Sequence, residues 1–304
     1  MRRSGGSVDG VLLLDKPLGL TSNAALVQVR RLLGAAKAGH TGTLDPLATG
    51  LLALCLGEAT KFAGFLLDAD KTYEAVIGLG VATTTGDAEG EVVCRGELSG
   101  VMAQLDAVLP EFVGPLLQRP PMFSALKHQG RPLYEYARQG KSVDRPARKV
   151  FVHELTVLQR RVDELQVRVR VSKGTYIRTL AEDLGQRLGC GAYLKALRRT
   201  AIGALEVDQA RTLDQLQAMP PEHQRALLQP PDLLVAGLPR TELDAATTRA
   251  IRQGRSVSVP QLEAVGQVAM YASGSGFLGV GEVQSPGRLS PRRLLATTVP
   301  VEAA

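Results

Sequence analysis

The sequence predicts a mixed α/β (α+β) chain, with one large domain over residues 1–238 and a small β-rich one over 239–304. Three observations point there. Apolar alternation, as in Tyr73, Ala75, Ile77 and Leu79, calls for strands. Stripes at helical spacing, as in Ile177, Leu180, Ala181, Leu184 and Leu188, call for helices that bury one side. Prolines gather at Pro220-Pro221, Pro230-Pro231 and Pro239, marking a joint before a tail of short strand signals.

Residues 11–14 are a short apolar strand entering the turn Asp15-Lys16-Pro17-Leu18-Gly19-Leu20-Thr21-Ser22, which ends in a capping hydroxyl. The helix that follows buries Leu26, Val29, Leu32 and Leu33 and turns Arg30 and Arg31 away. A loop punctuated by Gly39, Gly42 and Gly50 leads to the apolar run Leu51-Leu52-Ala53-Leu54-Cys55-Leu56, a buried strand or helix start. Residues 58–67 predict a second amphipathic helix, and 71–80 a strand. The polar turn at 83–90 precedes a strand near Val92 and Val93, and Ser99 is placed to cap a helix carrying Val101, Leu105 and Val108.

From Gln118 to Lys149 basic residues outnumber Glu135 and Asp144, prolines break regular structure, and Phe123, Tyr134 and Tyr136 are interleaved. Such a segment is either a solvated loop or a flexible basic arm that grips phosphates. Strands resume at 151–158 and 165–171; His153 there reads as structural. Lys173-Gly174 then turns the chain into a helix that Gly189 stops. Arg178 sits in its first turn, the wrong end of the helix dipole for a cation. It is either a surface arginine or the partner of a nearby anion. In the tail, strand candidates at 265–271, 277–283 and 293–296 include a hairpin turned by Gly274-Ser275-Gly276.

The chain has 304 residues, a formal net charge of +6 and pI ≈ 9.4, which suits a polyanionic partner. Cys55, Cys94 and Cys190 are scattered and odd in number, so neither a disulfide framework nor a metal spacing is present, and a cytoplasmic location is expected. No apolar run reaches transmembrane length, and Met1–Ser7 is too short and polar for a signal peptide and is expected to fray.

Chemistry concentrates in Gly39-His40-Thr41-Gly42-Thr43-Leu44-Asp45-Pro46-Leu47-Ala48-Thr49-Gly50. Pro46 biases Asp45 away from helix, leaving one carboxylate on a turning loop anchored by buried structure. Read alone, Asp45 is also compatible with a turn residue capping the next element. The stretch resembles, residue for residue, the catalytic motif of the TruB family, tRNA pseudouridine synthases that act on uridine 55 of the T arm. The Asp15–Ser22 block, Gln118-Arg119-Pro120-Pro121-Met122-Phe123-Ser124-Ala125-Leu126-Lys127, and the block from Gly189 to Thr200 also resemble that family, in order.

The resemblance implies a catalytic domain around a largely antiparallel sheet with the cleft across its middle. It further implies an RNA-clasping insertion at 118–149 and a PUA-like RNA-binding tail. Asp45 would be the catalytic carboxylate, and Arg178 would hold it ionised and aimed through a planar fork. Tyr73 would stack on the uracil and serve at the C5 proton, with Tyr176 and Leu197 completing the slot. His40 would wedge into the RNA as the base flips, while Lys16, Arg198 and Arg199 would bind substrate, the two arginines at phosphates. No metal or cofactor is expected, and the implied partner is a tRNA T-arm stem-loop met by a monomer away from membranes. Two other readings fit parts of the chain. One is a synthase for another RNA, such as a guide-RNA-dependent enzyme; the other is an RNA-binding or chaperone protein.

Overall fold

The computed structural model describes residues 8–274 and 276–296; Met1–Ser7 and Ser275 of the expected hairpin turn lie outside the described residues. In chain order the elements that place the site begin with β1 (Gly10–Lys16), α1 (Ser22–Leu33), β2 (Ala48–Leu56), β3 (Lys71–Leu79), α2 (Val101–Val108) and β4 (Gly114–Gln118). They continue with β5 (Arg148–Arg161), β6 (Glu164–Val171), α3 (Ile177–Arg187) and β7 (Ala192–Ile202).

These strands belong to one ten-stranded sheet whose main path, after a two-residue edge strand (Arg211–Thr212) parallel to β1, runs β1-β2-β7-β3-β6-β5-β4. Every neighbouring pair on that path is antiparallel except β2–β7, which run parallel with Leu197 opposite Ala48 and Arg199 opposite Gly50. The sheet is therefore largely antiparallel, as expected.

β1 over residues 11–14 and β2 over residues 51–56 are apolar without alternation because both their faces are covered. Val11, Leu13, Leu51 and Ala53 enter one core, and Leu12, Leu14, Leu52 and Leu54 enter another beneath α1. In the β3–β6 half only one face is covered. Ala75, Ile77, Val167 and Val169 pack there against Leu180 and Leu184 of α3. On the opposite face Glu74 lies opposite both Arg168 and Arg198 and pairs with Arg168 at 2.9 Å.

Several elements differ from expectation. Residues 58–67 form no single helix but a 3-10 turn (Gly57–Phe62) followed by a short α-helix (Ala63–Leu67). The Thr60 hydroxyl donates to the Gly57 carbonyl at 2.7 Å, a local bond that competes with a regular helix. Ser99 does not cap α2; Gly100, left-handed at φ 78°, precedes it without a side-chain cap. The basic segment after Gln118 is folded, with a two-residue-per-strand hairpin at 127–132 and a short helix (Leu133–Arg138).

After the proline joint a five-stranded sheet contains β8 (Arg240–Leu243), β9 (Gly266–Ala272), β10 (Gly276–Ser285) and β11 (Arg288–Leu294). β11 starts earlier than the sequence suggested because Pro286-Gly287 reverses the chain, with Gly287 at φ 74°. This sheet is docked on the large domain rather than tethered. Ala269 and Val280 share a core with Leu51 and Phe62, and the Phe62 and Phe277 rings meet edge-on at 5.3 Å.

Gly50 shows why the parallel β2–β7 contact needs glycine. Its φ is +101°, and a Cβ there would lie 2.2 Å from the Arg199 carbonyl oxygen. Gly50→Ala is expected to cost at least ~2 kcal/mol of stability, read from urea unfolding; a midpoint equal to wild type would contradict this register.

Candidate active site

The loop at 41–47 closes over the start of β2 and is held from several sides. The Thr41 amide donates to the Ala53 carbonyl at 3.1 Å, and the Gly19 amide to the Pro46 carbonyl at 2.8 Å. Ser22 opens α1 after Thr21, whose hydroxyl accepts the Ala24 amide as a helix cap. The Ser22 hydroxyl is buried against Leu44, accepting its amide at 2.7 Å and donating to its carbonyl at 2.9 Å. Beneath the loop, Arg199 Nε donates to the Leu51 carbonyl at 2.7 Å and Nη2 to the Gly42 carbonyl at 3.2 Å. A single guanidinium thus ties the two ends of the Asp45 loop together.

Asp45 points at α3. Its Oδ2 lies 3.0 Å from Arg178 Nη2, and its side chain is 41% exposed against 5% for Arg178. The other arm of the fork, Nη1, lies 3.4 Å from Asp87 Oδ2, which is itself buried. Asp87 is held in turn by the Thr85 hydroxyl at 2.5 Å and the Glu89 amide at 3.1 Å. Two carbonyls complete the set: Arg178 Nη1 donates to Thr85 at 3.3 Å and Nη2 to Phe123 at 2.6 Å. The fork therefore bridges two carboxylates rather than gripping both oxygens of one. These partners offset the unfavourable position of a cation at a helix N-terminus.

Burial pushes the Asp45 carboxyl above the ordinary carboxylate range. Arg178 pulls it back down, Asp87 pushes it up, and Lys16 pulls it down again. The net direction is upward, so Arg178 limits the rise without reversing it. Burial also raises the Tyr176 phenol above its ordinary value.

Between these groups lies a cleft of ≈ 330 Å³, at the small end of the roughly 300–1,000 Å³ usual for ligand pockets. Asp45, Tyr73, Tyr176, Arg178 and Leu197 all line it. Lys71 lines it too, with Nζ donating to the Leu67 and Ala69 carbonyls at 2.5 and 2.6 Å and burial pushing its pKa down to about 8.

Comparison with known proteins gives this arrangement a family. Residues 30–177 match the model described as TruB family pseudouridylate synthase (N terminal domain). Residues 178–236 match the tRNA pseudouridylate synthase B C-terminal domain, and 239–295 match Pseudouridine synthase II TruB, C-terminal. The chain is 56% identical over 290 residues to the tRNA pseudouridine synthase B of Azoarcus sp. (strain BH72), covering 95% of this chain and 96% of that protein. The chain belongs to the TruB family. Its likeness to the tRNA pseudouridine synthase B of Thiobacillus denitrificans (strain ATCC 25259 / T1) is 52% over 297 residues, 98% of this chain and 99% of that one. Among solved structures, a chain of a Cbf5-Nop10-Gar1 complex aligns with TM-score 0.71 and 28% identity, over 92% of this chain and 80% of the other. A chain of an H/ACA RNP bound to a substrate RNA containing 2'-deoxyuridine shares the fold, with TM-score 0.73 and 24% identity over 95% and 85% of the two chains.

Not every residue that the TruB resemblance assigned to substrate reaches the cleft in a free state. Arg199, expected at an RNA phosphate, is instead 1% exposed at the cleft lining, with Nε and Nη2 donating to backbone carbonyls beside the parallel β2–β7 pairing. Lys16, expected to touch substrate, is also buried, donating to Pro17 and Leu20 carbonyls at 2.8 and 2.6 Å. Its pKa is pushed down to about 8 by burial, which Asp45 opposes. Arg198 is half-exposed but forms a bidentate pair with Asp15 at 3.0 and 2.7 Å. His40 lies on the short strand Ala38–His40 outside the cleft lining, its pKa lowered by burial and by Arg199.

Asp87 was missed by sequence reasoning. The only signal was an acidic residue in a turn rich in threonine and glycine, which normally means a capped loop. Arg199→Lys is expected to lower melting by several degrees, since an ammonium cannot span Gly42 and Leu51, while the salt dependence of RNA binding stays at the wild-type slope. A changed slope would restore Arg199 to the phosphate contacts.

Proposed function

We propose that this TruB-family enzyme isomerises uridine to pseudouridine at position 55 in the T-arm loop of tRNA, as a cytoplasmic monomer. The observation that carries the reading is a half-open carboxylate, fixed by a buried arginine fork, at the wall of a cleft flanked by two tyrosines and a leucine. Similarity to proteins named tRNA pseudouridine synthase B, at 56% identity, exceeds the 28% shared with the Cbf5 complex chain and favours tRNA over another RNA.

The reaction breaks the bond from ribose C1′ to uracil N1, turns the base, and joins C5 to C1′. A stacked uridine hides these atoms, so the nucleotide is flipped into the cleft, at a cost of a few kcal/mol offset by stacking and phosphate contacts. Tyr73 stacks on the base and manages the proton at C5. Leu197 and Tyr176 bound the slot. Asp45, ionised and aimed by Arg178, acts at the ribose or base as the glycosidic bond breaks. The folded segment from Gln118 to Lys149 clasps RNA with its basic side chains, and the docked C-terminal sheet extends the RNA-binding surface.

Asp45→Asn is expected to abolish pseudouridine formation in an unmodified T-arm stem-loop while leaving RNA affinity within about twofold, because the amide keeps the shape and loses the charge. Measurable product from that variant would refute the assignment. Asp45 works as the ionised form, and burial raises its pKa. The single-turnover rate should therefore fall as pH drops through a value above the ordinary ~3.9 of aspartate. A rate that holds down to that ordinary value would count against Asp45 as the titrating group.

A further inference from the structure

Gln118 is the last residue of β4 and the root of the basic arm, and it is 2% exposed. Its register partner is Arg148, the first residue of β5, so the arm leaves and re-enters the sheet at one point. The Gln118 side chain does not bond within that ladder. It reaches the backbone of Tyr176: Oε1 accepts the Tyr176 amide at 3.0 Å and Nε2 donates to the Tyr176 carbonyl at 3.3 Å. Tyr176 is the N-cap residue of α3 and offers the helix no side-chain cap of its own. Two residues on is Arg178.

The same arm makes a second contact with this site. The Phe123 carbonyl accepts Arg178 Nη2 at 2.6 Å, and that nitrogen is also the one 3.0 Å from Asp45 Oδ2. Ser124, Ala125 and Leu126 then line the cleft. The root of the arm and the start of α3 therefore form one hydrogen-bonded unit around the arginine fork.

We infer that Gln118 is a positioning residue for the isomerisation: its paired hydrogen bonds to the Tyr176 backbone lock the start of α3 to the arm root, so that Arg178 meets Asp45 only when both are in place. This rests on the functional reading above, in which Asp45 acts as the ionised carboxylate. Gln118 touches neither Asp45 nor the cleft, so it works through Tyr176 and Arg178. An arm that bears the RNA-gripping side chains is thereby joined to the charge pair that the chemistry uses.

The test uses the full chain and an unmodified T-arm stem-loop. Gln118→Met keeps the bulk and removes both bonds; Gln118→Asn keeps the amide and shortens its reach. Measuring both guards against a folding defect in either, with thermal melting as the check. The expected result is a fall in the saturating single-turnover rate constant of roughly 10- to 100-fold, with RNA Kd within about twofold of wild type. The acid limb of the pH–rate profile should also move upward by about one unit, because a loosened Arg178 supports the Asp45 anion less. The charged and titratable groups around Asp45 are Lys16 from β1, Asp87 and Glu89 from the polar turn, Tyr176 at the N-cap of α3 and Arg178 in its first turn; of these Gln118 bonds Tyr176, two residues before Arg178. A folded variant with an unchanged rate constant overturns the inference. So does a lowered rate with the acid limb unmoved, or a loss confined to RNA affinity. Wild-type turnover of the same stem-loop is the separate control: its absence would sink the tRNA reading, whereas the variants judge Gln118 alone.

Discussion

The guanidinium of Arg178 is where four separated segments of the chain converge. It sits at the start of α3 with its side chain 5% exposed, between the Asp45 and Asp87 carboxylates and against the carbonyls of Thr85 and Phe123. A cation so buried, at the positive end of a helix, persists only if its donors are matched. Removing one partner of such a set leaves an uncompensated buried charge, a loss of about 3–5 kcal/mol where the pair is fully enclosed. Asp45 is open to the cleft, so solvent screens its share and the discount is large. Asp87 is enclosed and takes the structural load, while Asp45 stays half-open to the cleft.

The second constraint is positional. A loop holds a side chain to a fraction of an ångström only through rigid supports. Here the supports come from α1 through Ser22, from β7 through Arg199, and from the parallel register that sets Gly50 against the Arg199 backbone. Lys16, Lys71 and Arg199 are each buried near the cleft and each solvated by backbone carbonyls. They brace turns and strand ends, and charge reaches further: Lys16 acts on Asp45, and Arg199 acts on His40.

Local patterns made much of this legible. The alternation from Tyr73 to Leu79 and the stripe from Ile177 to Leu188 each reported one covered face, and each forms its expected element. Arg178 at a helix start was an electrostatic misfit, and its partner proved to be the carboxylate that the loop motif singled out. Asp87 was not legible, because an aspartate in a polar turn looks the same whether it faces solvent or a buried arginine. Arg198 and Arg199 were not separable either. Neighbours on a strand point to opposite faces, and with register shifts in β7 the sequence could not say which face was enclosed.

What the residues alone determined is whatever depends on near neighbours along the chain: helical and strand periods, the turn that presents Asp45, and the need for a counter-charge at Arg178. Tertiary structure decided which basic side chains are swallowed, which second carboxylate shares the fork, and how the arm root grips α3. Those outcomes depend on pairing between strands distant in sequence. Burial of a charge is a property of everything packed around it, and no local pattern encodes that sum.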